Sequence, residues 1–248
     1  MRLTDDVHLV GGGNVAFNLS NGADCHIYAL RTDDGLALID AGVGLGMDLV
    51  LENLRQDGLD PAEIHDIFLT HYHVDHAGAA ARWRRLTGAR IHASHDAAHA
   101  IRDGDADTVG LRQAQAGGYY PADYVLEPCP VDNEFEGGTS IELGRLRITP
   151  VDASGHCRGH AVFLVEGGER SYLFSGDCLF WGGTIILQNI PDCSIPEYAA
   201  TMERLDGLTF DALLPGHLTI SLRDGKRHVD TAVRAFRSLG LPRQAVQL

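Results

Sequence analysis

Thr70-His71-Tyr72-His73-Val74-Asp75-His76 places four metal-binding side chains in six consecutive positions, from His71 to His76. His71 and His73 are two apart, so at an extended strand end both side chains point the same way. Asp75 and His76 follow at once, where a turn into a helix aims them at a second position close by. The preceding run Ile67-Phe68-Leu69-Thr70 reads as a short buried strand. Ala77-Gly78-Ala79-Ala80-Ala81 reads as the first turns of a closely packed helix. The ligands thus fall at the C-terminal edge of a strand, where α/β proteins place their chemistry. Imidazole and carboxylate together suit zinc, iron or manganese. A polar loop that happens to hold histidines does not account for such a density of ligand types.

Working outward, strands and helices alternate on both sides. His26-Ile27-Tyr28-Ala29-Leu30 and Leu36-Ala37-Leu38-Ile39 flank a turn at Thr32-Asp33-Asp34-Gly35, which is a hairpin signal. Residues 46–55 have helical spacing, and Asp60-Pro61-Ala62-Glu63 carries an N-cap, Pro at N1 and Glu at N3. After the metal-type stretch, the pattern predicts a helix over 76–86, a parallel strand at 90–93 and a helix over 95–101. Residues 102–125 are the least regular part, either a lid or insert over a pocket or a surface excursion. From Glu136 onward the pattern gives strands at 140–143, 146–150, 161–166 and 171–174, a helix from Ser194 to about Leu205, a strand at 211–214 and a last amphipathic helix over 226–239. Both halves end in metal-type residues. The expectation is an α/β chain with two sheets packed face to face and helices outside.

Three further positions share one context, a polar ligand just after an apolar strand in a glycine-bearing turn. They are His156 in Ser154-Gly155-His156, Asp177 in Ser175-Gly176-Asp177 and His217 in Pro215-Gly216-His217. With His71, His73, Asp75 and His76 this makes seven ligands, more than one four- or five-coordinate ion uses. Seven suit two ions about 3.5–4 Å apart that share a hydroxide and one bridging carboxylate.

With these residues in view, the chain resembles the metallo-β-lactamase-fold hydrolases, in the branch that contains the glyoxalase II-like thioesterases and the acyl-homoserine lactone lactonases. The likeness runs from Leu38-Ile39-Asp40 through His71–His76, His156, Asp177 and His217, in the family's order. It implies an αββα sandwich of two mixed β-sheets, forming a single domain over residues 1–248. It places His71, His73 and His156 on one metal, Asp75, His76 and His217 on the other, and Asp177 between them. Asp40 matches an acid that supports a ligand rather than binding metal, and His160 is expected to do the same. The cofactors implied are two divalent ions, with zinc first and iron or manganese as alternatives. The reaction implied is attack of a metal-bridging hydroxide on an ester, thioester or lactone carbonyl, with Asp75 and Asp177 as the catalytic carboxylates.

The same resemblance sets alternatives. A persulfide dioxygenase-like oxidoreductase of this fold uses one iron, a phosphodiesterase uses two metals on another substrate, and a non-catalytic sensor would bind without turnover. Glyoxalase II-like enzymes carry a C-terminal helical region that binds glutathione, whereas here 31 residues follow His217, which argues against a glutathione thioester. The secreted β-lactamases have a signal peptide and lack the bridging Asp, and flavodiiron proteins place Glu at the position of His73. Tyr119 and Tyr120 are candidates to orient a carbonyl or line an acyl pocket, with Phe180 and Trp181 as its apolar wall. For each, plain packing is the competing role.

Composition narrows the partners. The formal net charge is −14, which repels phosphate backbones and argues against nucleic acid. No apolar run approaches the roughly 20 residues that span a bilayer, and the acidic start Met1-Arg2-Leu3-Thr4-Asp5-Asp6 has no signal-peptide core. Cys25, Cys129, Cys157, Cys178 and Cys193 are odd in number and include no CxxC pair, as expected of reduced thiols in a cytoplasmic protein. Cys157 and Cys178 adjoin ligands but are expected to point the other way and pack. The expected partner is a small acyl substrate.

Overall fold

Two mixed β-sheets with helices account for the alternation read in the sequence. The computed structural model describes residues 1–246. It divides into two compact units, residues 1–135 and residues 136 onward, each built around one sheet.

In the first unit, β1 (Val7–Gly11), β2 (Ile27–Thr32), β3 (Gly35–Ile39), β4 (Ile64–Phe68), β5 (Arg90–Ser94) and β6 (Asn133–Phe135) lie side by side in chain order. β1, β2 and β3 pair antiparallel, and β3 through β6 pair parallel. The parallel strands read as near-continuous apolar runs because they are buried on both faces, as in Leu36-Ala37-Leu38-Ile39. Their crossovers are helical: α1 (Met47–Gln56) and a single 3-10 turn (Pro61–Glu63) before β4, then α2 (Val74–Ala77) and α3 (Ala80–Thr87) before β5, and α4 (His95–Asp103) and α5 (Leu111–Ala116) before β6. Asp60 accepts from the amide of Ala62 and Pro61 fills N1, as the sequence signals, but the helix stops after one turn.

Two boundaries differ from the sequence reading. β4 starts and ends earlier than Ile67–Thr70: the Leu69 amide makes the last ladder bond, to the His92 carbonyl of β5, and the Thr70 amide turns away to the Asp40 carboxylate. The helix expected over 76–86 is broken at Gly78-Ala79. The Ala79 amide bonds the carbonyl of Gly42 instead of continuing the helical ladder. Strand β6, three residues long, gave no periodic signal to find.

In the second unit the sheet order is β11-β10-β9-β8-β7, with β7 (Ile141–Leu143), β8 (Leu146–Asp152), β9 (Ala161–Glu166), β10 (Tyr172–Gly176) and β11 (Ala212–Pro215). β7 to β10 pair antiparallel in sequence, and β10 pairs parallel with β11. α6 (Ile195–Asp206) and α7 (Lys226–Arg237) supply Tyr198, Met202, Leu205, Val229, Ala232 and Val233 to a core shared with Val162, Leu173 and Leu213. Ser194 caps α6 through its hydroxyl on the Glu197 amide, with Pro196 in the first turn. Because β8, β10 and β11 run the same way, their C-terminal ends share one edge of this sheet. No helix among the described residues is long and apolar enough to cross a membrane.

Candidate metal centre

In the first unit the ligands gather where β3 and β4 end. Ile39 is opposite Phe68, so the residues that follow, Asp40 and Thr70, come out beside each other. The Asp40 carboxylate accepts from the Thr70 amide at 2.8 Å and from the Thr70 hydroxyl at 3.0 Å, and its Oδ2 lies 2.8 Å from Nδ1 of His76. Asp40 adopts φ +62°, a left-handed conformation that Asp tolerates better than most residues and that occurs at functional turns. Trp83 of α3 donates its indole N–H to the next carbonyl, that of Ala41, and so anchors this turn from below.

His71 and His76 are each held by one nitrogen and present the other. Thr70 Oγ1 lies 3.0 Å from Nδ1 of His71, while Nε2 of His71 lies 3.0 Å from Nδ1 of His73. Asp40 takes Nδ1 of His76, while its Nε2 lies 3.5 Å from Oδ2 of Asp75. Holding the outer nitrogen fixes tautomer and ring orientation, the support that metal-ligating histidines usually receive. His71 and His76 are fully buried; His73 and Asp75 are partly exposed.

The second unit repeats the pattern. Gly176 is in register with Pro215, and the Gly216 amide bonds the Gly176 carbonyl at 2.8 Å, so Asp177 and His217 leave neighbouring strands at one level. Asp177 Oδ2 lies 3.5 Å from Nε2 of His217 and 3.7 Å from Nε2 of His156. Nδ1 of His156 is 3.3 Å from the Ile186 carbonyl. His160 accepts the Asp177 amide on Nε2 at 3.1 Å, so it steadies the backbone of Asp177. The Tyr198 hydroxyl reaches the carbonyls of both Asp177 and Ile186, and thereby ties together the two segments that orient His156 and Asp177. Tyr198 was not singled out in the sequence. A tyrosine three residues inside an amphipathic helix reads as core, and its hydroxyl is what the sequence hides.

The donor sets fit a metal. Atoms bonded at about 2.0–2.1 Å to a tetrahedral ion stand roughly 3.3 Å apart. The four separations above, 3.0, 3.5, 3.5 and 3.7 Å, bracket that spacing. Imidazoles mixed with carboxylates suit zinc and also iron or manganese.

The remaining candidates fall in different places. The Tyr120 hydroxyl donates to Oδ1 of Asp75 at 3.4 Å, whereas Tyr119 is 68% exposed. Phe180 is fully buried; Trp181 is half-exposed, its ring 5.8 Å from that of His228. Cys178 packs into the core of the second unit, as expected, and Cys157 is buried. All five cysteines are free thiols. Cys25, one of these thiols, brings its sulfur within 4.8 Å of side-chain ligand atoms of Asp40 and His76. Burial pushes its thiol well above the ordinary range.

Comparison with known proteins extends these observations. The model of the metallo-beta-lactamase superfamily matches residues 21–217, which include every candidate ligand. A probable metallo-hydrolase of Mycobacterium tuberculosis is 25% identical over 185 residues, 65% of this chain and 58% of its own length. A hydroxyacylglutathione hydrolase of Fuscovulum blasticum is 28% identical over 118 residues, 48% of this chain and 35% of its own. The chain therefore spans little more than half the length of the first relative, and about a third of the second. Among solved structures, a subclass B3 metallo-beta-lactamase of Bradyrhizobium japonicum shares the fold at TM-score 0.72, with 21% identity, over 96% of this chain and 91% of its own.

Proposed function

The chain belongs to the metallo-beta-lactamase superfamily, and on that premise we propose that it is a metal-dependent hydrolase that cleaves an ester, thioester or lactone carbonyl. The observation that carries the proposal is the common orientation of His71, His76 and His156, each tied by Nδ1 and each presenting Nε2 to a second ligand atom at 3.0–3.7 Å. In this reading His71, His73 and His156 hold one divalent ion, Asp75, His76 and His217 hold a second, and Asp177 serves both. The two units then act as one functional domain, a reading supported by a family match that runs across both.

Bound there, two ions would supply a water acidified from 15.7 toward about 7 and a positive charge for the carbonyl oxygen. The chain's own residues do the rest. Asp177, held at its amide by His160 and at its carbonyl by Tyr198, orients the attacking water. Its carboxylate takes the water's proton and returns it to the leaving group. Asp40 keeps His76 in the Nδ1–H tautomer, so that Nε2 offers its lone pair. No side-chain nucleophile is required. The hydroxyacylglutathione hydrolase among the relatives favours an acyl substrate, and the net charge of −14 weighs against a nucleic acid.

The test is a metal count on purified protein together with a panel of lactones, thioesters and phosphodiesters, before and after chelation. Two zinc-type ions per chain with carbonyl hydrolysis that disappears on chelation is the expected result. Full esterase activity in the chelated protein would sink the proposal. One iron per chain with oxygen uptake would replace it by the dioxygenase reading.

A further inference from the structure

The region of weakest sequence pattern turns out to be a built strap. Its first turn is closed by Asp105, whose carboxylate accepts from the amides of Asp107 and Thr108 and from the Thr108 hydroxyl. Its return is closed by Gln115, whose side-chain amide donates to the carbonyls of Pro121, Ala122 and Tyr124 at 2.9, 3.2 and 3.0 Å. Val109 and Leu111 are buried beneath it. Two phenols then leave the strap toward the ligand-bearing segment, their rings 5.9 Å apart. Tyr124 donates to the Val43 carbonyl at 2.8 Å, and Tyr120 reaches Oδ1 of Asp75 at 3.4 Å. The seat is the break between α2 and α3. A Cβ on Gly78 would stand 2.5 Å from the Tyr124 hydroxyl, so only glycine lets the strap come this close.

The other oxygen of Asp75, Oδ2, lies 3.5 Å from Nε2 of His76. The two carboxylate oxygens are thus divided between a phenol from the strap and a histidine from the ligand set. We infer that Tyr120 is a positioning residue: its hydroxyl holds Oδ1 of Asp75 so that Oδ2 alone faces the ion shared with His76, and the strap is thereby coupled to that ion. This rests on the two-ion reading given above. It gives Tyr120 a task other than lining the acyl pocket. The Tyr120–Asp75 bond joins the strap directly to a candidate ligand, and binding at that ligand can shift the strap only by its differential interaction with the two states. Partners of ligating groups commonly set metal affinity by 10–100-fold.

The experiment uses the full chain as wild type, Tyr120→Phe and Tyr124→Phe, each stripped of metal. Each is titrated with zinc against a competing chromophoric chelator, and amide hydrogen exchange of residues 111–124 is followed with and without zinc. Wild type is expected to take two equivalents and to gain protection in the strap. Tyr120→Phe should keep the first equivalent, bind the second about tenfold or more weakly, and lose the zinc-dependent protection. Tyr124→Phe should loosen the strap in both states while the second equivalent binds far closer to wild type. Cobalt(II) in place of zinc should show altered absorption for the second equivalent in Tyr120→Phe only. The inference is overturned if Tyr120→Phe matches wild type in the second equivalent, or if Tyr124→Phe loses as much affinity, which would mark general loosening of the strap. A wild type that takes up fewer than two ions overturns the two-ion reading itself, and the positioning role falls with it.

Discussion

Oδ2 of Asp40 lies 2.8 Å from Nδ1 of His76, on a residue whose φ is +62°. One carboxylate thus joins the end of β3, the Thr70 turn and a candidate ligand, all of them buried. Asp40→Asn isolates the charge, because Asn also tolerates the left-handed region and its carbonyl oxygen still accepts from the Thr70 amide. The expected outcome is zinc binding weakened about 10–100-fold with little change in the melting temperature of the metal-free protein. Chelator-competition titration and thermal unfolding together check it. Unchanged zinc affinity would show that His76 does not depend on Asp40.

Asp177→Asn removes a proton acceptor while keeping an oxygen that can face His156 and His217. Turnover should fall by about 10²–10⁴, the usual worth of a positioned acid–base group. Because Asp177 serves both ions in this reading, metal affinity should fall as well, so turnover is compared at saturating zinc. Single-turnover hydrolysis with a metal assay on the same sample separates lost chemistry from lost metal.

Gly155 adopts φ +144°, and a Cβ there would meet Cγ of Tyr198 at 2.7 Å and its backbone N at 2.8 Å. Gly155→Ala therefore combines an unfavourable backbone conformation with overpacking against the residue that ties Asp177 to Ile186. A destabilisation of about 2–4 kcal/mol is expected, together with weaker metal binding because His156 follows directly. Denaturant unfolding read by tryptophan fluorescence measures the first, and zinc titration the second. A stability loss under about 0.5 kcal/mol would show that the α6 contact gives way easily.

His228, buried on α7, accepts the Gly182 amide on Nδ1 at 2.9 Å, with the Trp181 ring beside it and Arg227 next in sequence. Burial, aided by the charge of Arg227, lowers its pKa from 6.5 to about 4. The folded state thus binds fewer protons than the unfolded state between those values. The stability from neutral His228 is complete above pH 6.5 and is lost as the pH falls toward 4, at up to about 1.4 kcal/mol per pH unit. Urea midpoints between pH 7 and pH 4.5 should show this slope, and His228→Asn should reduce it. An identical slope in the variant would place the acid sensitivity elsewhere.

Much of the candidate site was legible in the sequence because a metal centre would need particular side chains at tight spacing. His71, His73, Asp75 and His76 announce themselves, and the glycine turns before His156, Asp177 and His217 mark three strand ends that the structure confirms as strand ends. The two mixed sheets were legible too, since buried parallel strands such as Leu36–Ile39 and Ile67-Phe68 read as apolar runs. What stayed hidden depends on tertiary partners. Gly78-Ala79 looks like helix until the Gly42 carbonyl claims the Ala79 amide. Tyr198 looks like core until its hydroxyl is seen between Asp177 and Ile186. Gln115 has no pattern at all, since its three carbonyl partners are set by how the strap folds back.

The register of β10 on β11 bears on which insertions and deletions this chain can survive. Gly176 faces Pro215 across a parallel ladder; Asp177 follows Gly176 directly, and His217 follows Pro215 after Gly216. Side chains alternate along a strand, so one residue gained or lost between Ala212 and His217 would turn His217 to the opposite side while leaving Asp177 in place. The hairpin turns at Gly144 and Gly167, which join β7 to β8 and β9 to β10, carry no ligand and can change length without that penalty. Descendants of this chain should therefore vary in those turns and keep the count from strand to ligand fixed.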